Sequence, residues 1–150
     1  MVRSIQGRLL WVAAASLAGM LGIAPTRAHH STAAFDSTKL IRIDGMIKEF
    51  RWINPHASIK MQGVAEGDAP DGDAPDGLWT VEMTAANILV NQGWTRNSVR
   101  PGDRVVMFVN PLRNPITLED GSQGGLYVGV ILADGHILGP IEDQATAPRE

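Results

Sequence analysis

The chain has 150 residues, with 13 Lys and Arg against 16 Asp and Glu, a formal charge of −3, and no cysteine. That length suits one domain, and without thiols packing alone must hold the fold. The acid excess argues against nucleic acid as a partner, because binding to phosphates relies on a basic surface.

Residues 1–28 read as an export signal. Arg3 and Arg8 form a positive start, Leu9 to Ile23 run without a charge, and Pro25 breaks the run before small residues at Thr26 and Ala28. The fifteen residues of the apolar run fall short of the roughly 20 needed to span a bilayer as a helix. Cleavage after Ala28 implies a periplasmic or secreted protein with no membrane association. Three bases leave with the signal, so ten bases face sixteen acids and the mature charge is −6.

Residues 29–39 show no period and read as an N-terminal arm with Phe35 as its anchor; the domain proper is expected over 40–138. Leu40 to Trp52 is the first strand. Ile41, Ile43 and Ile47 share one parity and Met46, Phe50 and Trp52 the other, with Gly45 where the preferred face changes, as a bulge or sharp coil requires. Asn54-Pro55 turns the chain. Ala57, Ile59 and Met61 then alternate with Ser58, Lys60 and Gln62 in a half-buried second strand. Residues 63–77 carry five acids, no base and the pentapeptide Asp-Ala-Pro-Asp-Gly twice, which predicts a flexible acidic insertion. A calcium loop fits poorly there: Asp71 and Asp73 have the opening spacing, but Pro75 takes the next ligand position and no glutamate closes the loop.

Leu78 to Met83 is the third strand, with Trp79, Val81 and Met83 inward. Thr84 is placed to cap a short helix over 85–92 whose Ile88 and Leu89 face the core, with Gly93 and Trp94 closing it. Pro101-Gly102 turns into a fourth strand at 104–110, a polar loop covers 111–125, and the fifth strand follows at 126–132. Ile137-Leu138 adds an edge pairing and 139–150 is a loose tail. This order predicts an all-β protein with one short helix, a five-stranded OB-like Greek-key barrel. A parallel α/β layout would need a crossover helix after most strands.

No nucleophile elbow and no glycine-rich phosphate loop occur, so an enzyme is not expected. The histidines lead elsewhere. Once processed, His29 would offer its α-amine and imidazole together; with His56 across the site, helped or replaced by His30, it forms a nitrogen set suited to a copper-class metal. The same residues have a structural reading, as a polar start to the arm and a hydrogen bond that fixes the Asn54-Pro55 turn. Lys60 on the outward face of the second strand, with Trp52 and Asn54 at the bend before it, are the ligand-binding candidates. The expected function is an exported binding or accessory module, with copper as the candidate cofactor. The alternative is an interaction module for an envelope peptide, glycan or protein, without metal.

These residues resemble a domain-of-unknown-function family of small exported bacterial proteins. The shared pattern is Ala28-His29-His30-Ser31, Phe35-Asp36, Trp52-x-Asn54-Pro55-His56-Ala57, Gly93-Trp94-Thr95-Arg96, Pro101-Gly102-Asp103 and Leu132-Ala133-Asp134-Gly135. The acidic double repeat departs from it, since the family has a shorter turn there. The resemblance implies a small secreted barrel of OB type and brings no established activity.

Overall fold

Three isoleucines on one face of a long strand begin the barrel. In the computed structural model, which describes residues 32–69 and 72–141, β1 runs Ile41–Arg51 and pairs antiparallel with β2, Ser58–Glu66. Ile41, Ile43 and Ile47 of β1 and Ile59 and Met61 of β2 are fully buried, each side chain contributing roughly 1.5–3 kcal/mol through lost apolar surface. The segment expected to be an export signal, His29, His30 and residues 142–150 lie outside the described residues. Among those described, no helix is long and apolar enough to cross a membrane.

A small hairpin of β3, Asp68–Ala69, and β4, Gly72–Asp73, leads into β5, Gly77–Glu82. The short helix α1, Ala86–Asn91, precedes β6, Arg104–Pro111, then β7, Gln123–Ile131, and the edge pair β8, Ile137–Leu138. The sheet order is β5-β2-β1-β6-β7-β8, and a parallel pairing of β5 with β7 closes it. Five strands in this order, with a helix between the third and fourth barrel strands, define an OB-type barrel. Its core includes Trp79, Val81, Met83, Met107, Val109 and Val130, all nearly or fully buried.

Several expectations are corrected. The face of β1 changes at a register shift between Ile47 and Glu49, two residues beyond Gly45. Gly45 has a different task. It lies opposite Gly63, and a Cβ on it would sit 2.3 Å from the Gln62 carbonyl oxygen, so β1 and β2 approach there as only glycine permits. The acidic insertion begins later than residue 63, because β2 continues to Glu66. It is also tied down, with Ala74 donating to the Gly67 carbonyl and the Trp79 indole N–H to Pro75.

In α1 only Leu89 is buried and Ile88 is 45% exposed. One short helix touches the barrel along a single line, so it cannot turn two adjacent residues inward. Thr84 does not cap it. The helix starts at Ala85 without a side-chain cap of its own, and the Asn54 side-chain oxygen accepts from the Ala86 N–H at 3.3 Å instead. Gly93, with φ 87°, closes the helix as expected, and the Trp94 N–H reaches the Leu89 carbonyl.

The 111–125 loop is shorter than the sequence predicts, because Gln123 to Gly125 already pair with β5. The start of the C-terminal segment is not loose. Ile141 is fully buried, and it occupies the space a side chain on Gly129 would need.

The barrel end beneath the Trp52–Ala57 corner is closed by aromatic rings. Phe50 meets Trp52 edge-on at 5.6 Å and Trp94 at 5.8 Å, and Trp94 meets Tyr127 at 5.5 Å. The Trp94 indole N–H donates to the Tyr127 hydroxyl, which donates to the Leu138 carbonyl at 2.8 Å. Burial pushes the Tyr127 hydroxyl up to about 12 from 10.0, against the Trp94 N–H, which favours the anion. An unfolded chain therefore loses this proton near pH 10 while the folded chain keeps it to about 12. Stability is full below the lower value and falls as pH rises between the two, by about 2–3 kcal/mol in all. Tyr127 is the chain's one tyrosine, so its ultraviolet titration can be read directly. We expect a tyrosinate midpoint well above that of free tyrosine, with urea resistance falling over the same alkaline range. An ordinary midpoint would contradict the burial.

Candidate functional site

Alternation along β2 sends Ser58, Lys60, Gln62 and Val64 outward while Ile59 and Met61 fill the core. On the neighbouring β5, Leu78, Thr80 and Glu82 share that outer face, registered against Gln62, Lys60 and Ser58. This is the face on which OB barrels carry ligands, framed by the β1–β2 corner and the β6–β7 connection.

The β6–β7 connection is fastened to the face. The Lys60 ammonium pairs with the Asp120 carboxylate sixty residues away. Ser122 donates from both its hydroxyl, at 2.6 Å, and its N–H, at 3.1 Å, to the other Asp120 oxygen. Because the Ser122 proton is committed to that carboxylate, the Thr80 hydroxyl must be the donor to Ser122 across 2.8 Å. The Lys60 ammonium, then the Ser122 hydroxyl and N–H, hold the Asp120 carboxyl well below the usual carboxylate range. Ser122 is fully buried, which removes its hydroxyl from solvent.

Beside this network lies an open groove of about 560 Å³. Its floor is the backbone where Gly45, Gly63 and Gly77 stand in one row across β1, β2 and β5. Asp44, Met46 and Lys48 line it from β1, Gln62 and Val64 from β2, and Asp76 and Arg104 stand among its other walls. Asp44 faces the Arg42 guanidinium at 3.6 Å, and an Asp76 oxygen accepts from the Ala65 N–H at 2.8 Å.

The sequence-expected site residues fall in different places. Lys60 lies on the outer face, engaged by Asp120. Trp52 is half-buried in the aromatic cluster. Asn54, joined to Pro55 by a cis bond, serves the start of α1. His56 is exposed at the corner. Its Nδ1 lies 3.2 Å from the Met83 carbonyl, an acceptor, so Nδ1 carries the proton; Glu82 approaches the same nitrogen at 3.7 Å. Among the described residues no three His, Cys, Asp or Glu side chains gather to hold a metal. Sequence reading missed Asp120, Ser122, Lys48, Asp76 and Arg104. Only the outward parity of Gln62 and Lys60 pointed to this face.

Barrel topology and strand order thus define a small OB-type barrel with an open groove on its outer face. The chain belongs to the family of unknown function DUF6152, whose model matches residues 18–125. No curated protein matches the sequence. A solved structure, the mitochondrial single-stranded DNA binding protein Rim1 from S. cerevisiae, is similar at 16% identity and a TM-score of 0.41, over 66% of this chain and 95% of that one. Beside a similar chain that is a single-stranded DNA binding protein, the expectation that an acidic chain excludes nucleic acid is corrected, and the likeness itself says nothing of what this chain binds. Physically, net charge sums over the whole chain, and five of the sixteen acids sit in residues 63–77. A binding face responds to its own local charges.

Proposed function

We propose that the chain is an exported binding or accessory module that holds a small ligand in the groove over β1, β2 and β5. The observation that carries this reading is the groove itself, about 560 Å³ and lined by outward polar and charged side chains from neighbouring strands held in register. An ordered surrounding supports it, because the Lys60–Asp120–Ser122–Thr80 network fastens the β6–β7 connection to the same outer face without help from a ligand. Binding is favoured over a reaction because both groove carboxylates already have partners and the nearby serine is buried.

Thermal melts with peptides, oligosaccharides, a single-stranded oligonucleotide and metal ions test it, since a ligand of the native state raises the midpoint. The midpoint rise is expected to vanish in Gln62→Trp, which fills the groove from an exposed position, and to persist in His136→Ala. A rise that survives Gln62→Trp places the site elsewhere.

A second reading, a copper-class metal held by His29, His30 and His56, is favoured by one observation. Donation from His56 Nδ1 to a backbone carbonyl is the arrangement that orients a ligating imidazole. It requires His29 as the processed N-terminus and metal uptake at neutral pH. Protein exported with its own signal that takes up no copper ends it.

A further inference from the structure

The groove has unlike ends. Sheet order runs β5-β2-β1-β6, so a line across it passes from Asp76, beside Gly77 of β5, over the glycine row to Arg104 of β6. Arg104 is registered against Met46 of β1, and Lys48 lies two residues further along that strand on the same lining. Lys48 and Arg104 are both exposed, and neither has an ion pair or side-chain hydrogen bond among the described residues. Asp44, in the middle, is already matched by Arg42. One end therefore offers a carboxylate with an unused oxygen, since Ala65 N–H engages only one of the two on Asp76. The other end offers two cations.

The span follows from sheet geometry. Three inter-strand spacings separate β5 from β6, about 14 Å. Four residues of extended peptide cover about the same distance. The groove is open to solvent along this line, so an extended chain can lie across the strands between the outward side chains of Asp44, Met46, Gln62 and Val64. Met46, 37% exposed, and Val64, 56% exposed, offer apolar contact to small side chains on either side.

We infer that the groove takes a short peptide of about four residues with both termini free, its ammonium at Asp76 and its carboxylate between Lys48 and Arg104. This rests on the groove being the ligand site, and it adds the ligand's class, length and direction. A larger polypeptide, lacking termini at that spacing, is not the occupant. Both charged ends are required: the match is to a zwitterion, with Asp44 silent because Arg42 already answers it.

Calorimetric titration with tetra-alanine, in free, N-acetylated and C-amidated forms, tests the assignment. Free tetra-alanine is expected to bind, and each cap to weaken binding about tenfold, the worth of a charge-assisted hydrogen bond. Asp76→Asn keeps the acceptor for Ala65 N–H while removing the charge. It should lose the penalty of N-acetylation and leave that of amidation, and Lys48→Gln combined with Arg104→Gln should do the reverse. Capped and free peptides binding equally, or no binding at millimolar tetra-alanine, overturns the inference. If another ligand from the melting panel is then lost in Gln62→Trp, the groove stands as a site and only the peptide assignment falls. If no ligand depends on Gln62, both readings fall together.

Discussion

Gly45→Ala is expected to cost about 3 kcal/mol or more, lowering the melting midpoint on the order of 10 °C. A Cβ at this position would lie 2.3 Å from the Gln62 carbonyl oxygen, 2.7 Å from the Gly63 Cα and 2.9 Å from the Gln62 carbonyl carbon. All three are backbone atoms of the paired strand, so no side chain can rotate away. Relief requires β1 and β2 to part where β1 coils. Gly135→Ala is the informative control. Gly135 has a φ of 85° and nothing within 4 Å of an added Cβ, so its substitution isolates left-handed strain, worth about 1–2 kcal/mol. Chemical denaturation of both variants separates the two causes. A loss in Gly45→Ala no greater than in Gly135→Ala would mean that the close approach is not what fixes glycine there. The groove floor is the same backbone, so the variant should also lose ligand binding at temperatures where it stays folded.

The barrel was readable because burial imposes a period. Inward Ile41, Ile43, Ile59, Met61, Trp79 and Val81 alternate with polar residues over strands long enough to count, and Gly93 marks a helix end in any context. The errors arose where no period operates. The register shift at Lys48 involves one extra residue in an otherwise regular strand. Gly124 and Gly125 look like loop residues, yet they lie inside β7, where a side chain on Gly125 would press on Val109 and one on Gly124 would displace the end of Leu112. Ile88 has the composition of a core residue on a helix too short to bury two faces.

Legibility of the site was lower for a related reason. Outward polar residues answer to solvent and to whatever binds, and neither leaves a repeating pattern. Lys60 could be placed on a face from its parity, but nothing local foretold Asp120, sixty residues on, as its partner. Asp76 was assigned to a flexible acidic run, whereas its carboxylate bonds to β2 and its position lines the groove. Arg104 opens a strand and carried no distinguishing neighbour. Only pairing three strands in register brings Gly45, Gly63 and Gly77 into one row.

Trp94→Ala is expected to cost about 3–5 kcal/mol, the range for a large aromatic removed from a core. Trp94 is fully buried and touches Phe50 and Tyr127, so its loss opens a cavity bounded by rings from β1 and β7. Its backbone N–H also ends α1 on the Leu89 carbonyl, so the cavity lies where helix, corner and barrel meet. Trp94→Phe divides the effect. A phenyl ring retains most of the packing but cannot donate to Tyr127, and that hydroxyl still donates to Leu138. The remaining loss should be about 1–2 kcal/mol, the sum of one hydrogen bond and a small void. Urea melts of the two variants give both numbers, and the Phe variant should also move the Tyr127 titration upward, because the N–H that favours the phenolate is gone. A loss in Trp94→Ala below about 1 kcal/mol, the range of exposed positions, would remove Trp94 from the core. It would also remove the reason to regard the aromatic cluster as the seal of the barrel beneath Trp52.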